Sequence, residues 1–468
     1  MTLPLRVDHK LSLADAVSAM RGIPNSKLSG NLSGVCLDTR VLRKGDLFFA
    51  LRAARDGHEF ARQALDKGAC AAVIEQDLPD IKEKLIRVQR TWDALGDLAR
   101  FHRRKWAKKI VAISGSNGKT TTKEIAAALL GASYSALKAP GTWNNALGVP
   151  LSLLMLEKKH DVAVLEMGMN DFGELAMLGR MAEHDAAILT NVGPVHLEKL
   201  GSVEGVARAK GELFTSLKEG GTAVVNQDDG WIAKLASTVS GRRVTVSLAA
   251  GADVSARVLQ DLGSEGFHLA VQYGGQKTEI RFPFVGIHNV YNLLCALGAA
   301  LALEVPVSRL QKGVDAIVRP SMRLETIECG RGIRLINDCY NANPSSTLVA
   351  LEVVRDTSPK RKLAVLGDMM ELGEFAPRAH RDIGIKVATF GFAHLFVLGQ
   401  FSGDLVQGAV QGGMPRQNIT VGKSHEDLAK AISENAKEGD TILVKGSRGM
   451  KMEKVTNELL RLWREKGA

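Results

Sequence analysis

The stretch VAISGSNGKTTTKEIAAALL, residues 111–130, changes character twice. Val111, Ala112 and Ile113 are small and apolar and follow Lys108-Lys109, the pattern of a buried parallel strand. Gly115, Ser116, Asn117 and Gly118 then form a turn. Its two glycines let successive N–H groups converge on one anion. Lys119 is placed to neutralise β- and γ-phosphate oxygens, and the Thr120 hydroxyl, with Thr121 beside it, to ligate Mg²⁺. Ile125–Leu130 continues as a helix whose N-terminus adds a positive dipole end. The G-S-N-G-K-T spacing is shorter than the usual phosphate-loop pattern. The strand before it and the helix after it therefore carry the assignment: a nucleotide phosphate cradle on an open α/β sheet.

Length and composition set the frame. A chain of 468 residues predicts about three domains. Hydrophobic residues at 45% and charged residues at 24% give an ordinary globular balance. No apolar run approaches the ~20 residues that span a bilayer, so no membrane insertion is expected. The opening MTLPLRVDHKLSL lacks the charged and apolar regions of a secretion signal. Cys36, Cys70, Cys295, Cys329 and Cys339 are scattered without C-x-x-C spacing, which predicts reduced thiols in a cytoplasm. The net charge of +10 is interleaved with acids along the chain, and only Arg103-Arg104-Lys105 with Lys108-Lys109 forms a local basic run. Attraction of phosphorylated, anionic substrates explains that charge more simply than nucleic acid does.

Residues 1–85 read as a small α/β unit, with GVCLDTRVLRKGDLFFAL as strand, loop and strand. Residues 86–107 supply a strand and an amphipathic helix that join it to the central unit, which extends to residue 315. There the strands Ile110–Ile113, Val162–Leu165, Ala186–Thr190 and Thr222–Val225 alternate with helical patterns, predicting a doubly wound, mostly parallel sheet. Residues 243–284 alternate apolar and polar and predict an antiparallel addition. Residues 316–468 form a third unit, with strands Ile333–Ile336, Leu363–Val365, His394–Leu398 and Thr441–Val444.

Other residues could carry chemistry. Glu166 ends an apolar strand, where a carboxylate faces the ligand crevice and suits Mg²⁺. His196 lies in the loop after the strand ending at Thr190, and Lys210 on the following helix, where alone it reads as a solvated surface lysine. Asn289 and Asn292 share a helix face; Asn289 also fits an N-cap, while an Asn292 amide can read a purine edge. Arg323 and Asp338 suit phosphate and ribose hydroxyls, and Tyr340 suits stacking on a base. Asp368, Glu371, His380, Lys445, Ser447 and Arg448 each follow or flank a strand and could line one edge. Taken singly, many of these also fit surface or turn roles.

Together the runs GSNGKTTTKE, WNNALGVPLSLL, LEMGMNDFGEL, TNVGPVHLEKLGSVEGVARAKGELF, GIHNVYNLLCALGAA, PSMRLE, NDCYNANPSS, LGDMMELG and VKGSRGMKME resemble the Mur ligase family of cell-wall synthesis. The resemblance implies a UDP-substrate-binding N-terminal domain, a central ATPase and a C-terminal Rossmann-like domain. DCYNANP is similar to the member that joins D-alanyl-D-alanine to UDP-N-acetylmuramoyl-tripeptide through an acyl phosphate. Carried over, Gly115–Thr121 would hold ATP, and Thr120, Glu166, His196 and Lys210 would serve Mg²⁺, with Lys210 carbamylated by CO₂ as a hypothesis. Asn289, Asn292, Arg323, Asp338 and Tyr340 would grip the nucleotide. Asp38, Thr39 and Arg40 would meet the uridine diphosphate, and Asn144, Asn145, Lys445 and Ser447 the other substrate groups. A monomer that closes around its ligands is the expected form. A neighbouring or folylpolyglutamate-type amide ligase, or a nucleotide-gated binding protein without turnover, are the alternatives.

Overall fold

The computed structural model describes residues 6–106, 109–358 and 360–465; the opening five residues and Lys108 of the basic run lie outside them. Three sheets follow one another along the chain.

The first sheet runs β1 (Arg6–Ser12), β3 (Asn31–Cys36), β4 (Asp46–Phe49), β5 (Ala71–Ile74), β6 (Leu85–Arg87) and β2 (Ile23–Pro24). Its four middle strands are parallel, and β1 and β2 close the edges antiparallel. The expected division after residue 85 therefore falls inside β6, which pairs with β5 and β2. The amphipathic helix Thr91–Trp106 follows.

The central sheet contains β7 (Lys109–Ser114), β8 (Ala136–Lys138), β9 (Val162–Glu166), β10 (Ala186–Leu189), β11 (Thr222–Asn226), β12 (Arg242–Ser247), β13 (Val254–Asp261), β14 (Phe267–Tyr273) and β15 (Gln276–Phe282). Their order is β15-β14-β13-β12-β11-β10-β7-β9-β8. β7 sits between β9 and β10, parallel to both, with Ile113 opposite Glu166 on one side and Ile188 on the other. The chain leaves β7 in one direction and returns in the other. That reversal opens a crevice at the carboxyl ends of β7, β9 and β10, where open α/β sheets bind ligands.

Alternation along β7 explains the layers. Ile110 and Ala112 join the apolar cluster shared with helix Thr91–Trp106, while Val111 and Ile113 join the cluster under helices Lys119–Gly131 and Ile287–Ala302. The antiparallel expectation for residues 243–284 is met only in part. β12 is parallel to β11, β13 touches β12 only at Val246–Val254 and Ser247–Ser255, and antiparallel pairing begins between β13 and β14. Helix Gly230–Leu235 supplies the crossover that keeps β12 parallel.

The third sheet runs β16 (Glu325–Cys329), β17 (Ile333–Asp338), β21 (Thr441–Lys445), β18 (Lys362–Gly367), β19 (His394–Leu398) and β20 (Ile419–Val421). All but β16 are parallel, and Asp338 and Lys445 lie opposite each other at the same strand end. Leu363 and Val365 face one apolar cluster and Ala364 and Leu366 the other, the two-sided burial of a doubly wound sheet. Among the described residues no helix is long and apolar enough to cross a membrane.

One buried ion pair pins the first sheet. Arg6 grips Asp46 through Nε at 2.6 Å and Nη2 at 2.8 Å, and Asp46 is wholly buried. Asp46→Ala removes the buried partner and leaves the guanidinium only the exposed Asp8, which should cost ~3 kcal/mol. Urea unfolding followed by circular dichroism measures this, with loss of the first sheet ahead of the other two.

Candidate active site

The phosphate loop is held by a second loop. Gly115 and Gly118 have φ of 146° and 80°. A Cβ on Gly115 would stand 1.9 Å from Thr190 Oγ1, and one on Gly118 2.2 Å from Asn292 Oδ1. Neither position has room for a side chain. Ser116 N donates to Asn191 O at 2.9 Å and Asn117 N to Asn191 Oδ1 at 2.9 Å, so the segment after β10 sets the loop's shape. Thr122 N donates to Gly118 O, and the amides before it face the open helix end. Lys119 Nζ curls back onto Gly115 O at 2.8 Å and Ser116 O at 3.3 Å. Burial pushes its pKa down; Glu166 opposes that shift and Arg323 adds to it.

Glu166, nearly sealed from solvent at the end of β9, organises the next layer. Its carboxylate accepts from Thr120 Oγ1 and from Asn144 Nδ2, both at 2.8 Å. Arg323 Nη2 donates to the same Thr120 hydroxyl at 2.9 Å, and its guanidinium lies 4.2 Å over the Tyr340 ring. Lys210, which alone reads as a surface residue, is 2% exposed. Its amine donates to Gly115 O at 3.0 Å and lies 3.9 Å from Met169 Sδ. Burial, reinforced by Lys119, drives its pKa well below the ordinary lysine range.

His196 turns toward the third sheet. It has φ of 53°, and its Nδ1 lies 2.6 Å from Glu371 Oε2. That contact holds the Glu371 carboxyl below the usual carboxylate range. Asn292 Nδ2 donates to Asn289 Oδ1 at 2.9 Å, and Asn292 Oδ1 accepts from Thr122 Oγ1 at 3.2 Å. Asn289 is not the N-cap that its position allows: Gly286 is, and Asn289 Nδ2 donates to Val285 O at 2.8 Å. From the third sheet, Lys445 Nζ meets Asp338 Oδ2 at 2.6 Å and Asn341 O at 2.9 Å.

These groups surround a cavity of about 480 Å³ between the central and third sheets. Ser116, Asn117, Gly118, Lys119 and Thr121 line one wall. Asn144, Asn145, Glu166, His196, Asn289 and Asn292 continue it. Arg323, Asp338, Tyr340, Lys445 and Arg448 form the facing wall. Gly115, Thr120 and Lys210 stand behind it through the bonds above. Ser447 is buried and locks loops instead, donating to Ala342 O at 3.0 Å and accepting from Met370 N at 2.8 Å. Asp368 and His380 are also buried, accepting from the backbone of Gln400, Phe401 and Met369. Asp38, Thr39 and Arg40 are not lining residues. Asp38 accepts from Arg40 Nε at 2.9 Å, and Thr39 Oγ1 donates to Gln63 Oε1 at 2.6 Å.

Among the described residues no three His, Cys, Asp or Glu side chains cluster as a metal site. A hydroxyl and a carboxylate in contact, Thr120 and Glu166, nevertheless suit Mg²⁺, which shares its oxygen shell with phosphate and water. Reading residues singly missed Asn343, whose Nδ2 donates to Asn117 Oδ1 at 2.7 Å while its Oδ1 caps helix Pro344–Thr357. The only signal was the Asn-Pro pair that starts that helix.

A phosphate loop at a sheet's switch point, a buried carboxylate beside its threonine and a facing Rossmann-like wall define a nucleotide-dependent three-domain enzyme. The chain matches the Mur ligase middle domain over residues 113–300, the Mur ligase glutamate ligase domain over 322–448 and the Mur ligase family catalytic domain over 31–103. It is 34% identical to the UDP-N-acetylmuramoyl-tripeptide–D-alanyl-D-alanine ligase of Bacillus subtilis, over 92% of this chain and 93% of the relative. The chain belongs to the Mur ligase family. Its structure resembles MurF from Acinetobacter baumannii, with a TM-score of 0.90 and 29% identity over 98% of this chain and 100% of that one. It also resembles MurF ligase from Thermotoga maritima in complex with ADP, with a TM-score of 0.80 and 27% identity over 92% and 98% of the two chains.

Gly118→Ala forces a Cβ against Asn292 at a left-handed position and should weaken ADP binding at least tenfold, about 1.4–3 kcal/mol. Isothermal titration calorimetry reads the change directly.

Proposed function

We propose that this chain is an ATP-dependent amide ligase that joins D-alanyl-D-alanine to UDP-N-acetylmuramoyl-tripeptide and supplies the pentapeptide precursor of peptidoglycan. The observation that carries this reading is the phosphate loop facing a cationic wall across a cavity large enough for a nucleotide, in a chain of this family. In the reaction the tripeptide carboxylate attacks the γ-phosphorus of ATP, forming an acyl phosphate and releasing ADP. The D-alanyl-D-alanine amine then attacks the acyl carbon, and the tetrahedral intermediate expels phosphate. Phosphorylation converts a poor electrophile into one with a leaving group; the protein contributes positioning and charge neutralisation.

The residues divide that task. Lys119 exchanges its two loop carbonyls for β- and γ-phosphate oxygens, and Gly115–Thr121 present the helix end. Arg323 and Lys445 bring positive charge from the opposite wall, Tyr340 offers a ring for the base, and Asp338 a carboxylate for ribose. Asn289 and Asn292 complete the nucleotide contacts. Thr120, Glu166 and His196 would hold Mg²⁺, which would supply charge neutralisation at the phosphates. Asn144 and Asn145 face the muramoyl side, with Lys445 near the incoming dipeptide and Ser447 holding the loop that follows Lys445. Asp38, Thr39 and Arg40 receive the uridine diphosphate. The three sheets correspond to three folding units divided after β6 and near residue 315. The free cysteines support a cytoplasmic setting, and one chain carrying the whole cavity supports a monomer.

Phosphate release with UDP-N-acetylmuramoyl-tripeptide, ATP and Mg²⁺ should appear only when D-alanyl-D-alanine is added, with a UDP-pentapeptide product. Release with D-alanine alone, or with L-alanyl-L-alanine, would point to another amide ligase. Release without any amine would point to the regulatory reading.

Lys210 is proposed to carry a carbamate. Its low pKa leaves the amine neutral at a lower pH than an ordinary lysine, and a neutral amine attacks CO₂ and loses a proton to give an anionic oxygen donor. Removing CO₂ should lower kcat and bicarbonate should restore it. Loading with ¹³C-bicarbonate should give a carbamate carbon resonance that Lys210→Arg abolishes. Acid, by protonating the amine, should suppress both signals.

A further inference from the structure

Lys123 lies one helical turn beyond the phosphate loop, is fully buried, and has no part in the chemistry above. Its ammonium points away from the nucleotide wall, toward the loop after β8. It donates to Ala139 O at 3.0 Å and to Gly141 O, and lies 3.3 Å from Glu124 Oε1. Glu124 in turn pairs with Lys138 at the end of β8. Burial pushes the Lys123 amine below its ordinary range, and Glu166 and Glu124 pull the other way. A buried lysine held by backbone carbonyls is costly to keep, since a Leu or Met would fill the same space without desolvating a charge.

The loop it holds leads directly to the site. Trp143 N donates to Pro140 O at 3.2 Å, and Gly168 N donates to Asn144 O at 2.7 Å. Gly148 packs so closely that a Cβ there would stand 2.5 Å from Trp143 Cα. Asn144 then donates to Glu166 Oε1 at 2.8 Å. An unbroken series of short contacts thus runs from the Lys123 amine through residues 139–144 to the carboxylate beside Thr120.

We propose that Lys123 is a positioning residue: it ties the loop at residues 139–145 to the phosphate-loop helix, and through Asn144 fixes the Glu166 carboxylate against Thr120. Nucleotide binding and carboxylate placement are then set by the same helix, Lys119 in its first turn and Lys123 one turn further along.

Two arms test this, and only the second rests on the ligase reading. Hydrogen–deuterium exchange on the full-length protein without substrates compares wild type with Lys123→Met. Faster exchange confined to residues 138–147, with helix Lys119–Gly131 unchanged, is expected. In the kinetic arm Lys123→Met should lower kcat about 10²-fold while KM for ATP moves less than about threefold, because a misplaced group costs rate more than binding. Lys123→Gln, which keeps two of the three donors, should recover part of the loss. The double variant with Asn144→Ala should be no slower than Asn144→Ala alone, as expected when two residues act through one contact. Wild-type exchange in that loop, or losses that multiply in the double variant, overturns the proposal. So does failure of both Lys123 variants to fold, which assigns the residue to stability alone. An inactive wild type whose loop still responds to Lys123→Met instead overturns the ligase reading and leaves the positioning role standing.

Discussion

One buried carboxylate organises this molecule. Glu166 ends β9 nearly sealed from solvent, and its direct partners are neutral: the Thr120 hydroxyl and the Asn144 amide. Around that pair stand Lys119, Lys123 and Arg323, each linked to it through one further group or acting on it through space. The site therefore gathers more positive than negative charge on largely buried side chains. Electrostatic interactions are strong there, and an unmatched charge is costly. A triphosphate is the kind of ligand that brings this arrangement to balance. The crevice exists because the chain reverses direction at β7, and the charges lie in it because β7 and β9 end together, with Ile113 opposite Glu166.

The same atoms tie the third sheet to the central one. Arg323 reaches the Thr120 hydroxyl, Asn343 reaches the Asn117 amide and Glu371 reaches His196. All three ties end on the phosphate loop or on the segment after β10 that supports it. Relative placement of the two sheets is thus coupled to what occupies the loop. A ligand that engages Thr120 or Asn117 competes for, or completes, a contact between the sheets. Any closure of the third sheet onto the central one would therefore exchange hydrogen bonds at the phosphate loop.

Much of this was legible in the sequence. The change from an apolar strand through paired glycines to a helix located β7 and the cradle, and strand alternation located β9, β10 and the third sheet. Glu166 was legible because a carboxylate directly after an apolar strand has little choice of direction. Contacts between distant segments were not legible. Lys210 resembles a surface lysine until the fold shows it beneath Gly115. Asn343 resembles a turn residue until Asn117 is opposite it. Asp368, His380 and Ser447 follow strands as catalytic groups often do, yet they satisfy backbone groups of neighbouring loops. Local pattern places a side chain at a strand end. Whether it meets a ligand or a backbone amide depends on packing that no window of sequence contains.

Three lysines of one site show how partners alone separate roles. An ammonium carries three donors and is stable when buried only if those donors are met. Lys119 is held by two carbonyls of the loop that would cradle the phosphates, so a phosphate can displace them with little rearrangement. Lys123 meets two carbonyls and a carboxylate that do not line the cavity, which suits it to a structural role. Lys210 has one carbonyl and a weakly accepting sulfur, with the Lys119 charge nearby. Its charged form is the least supported of the three, and it is the one whose amine is freest to react. Chemically identical side chains on two helices thus differ in how many of their donors the fold satisfies, and that difference is what suits them to the proposed roles of phosphate ligand, strut and carbamate carrier.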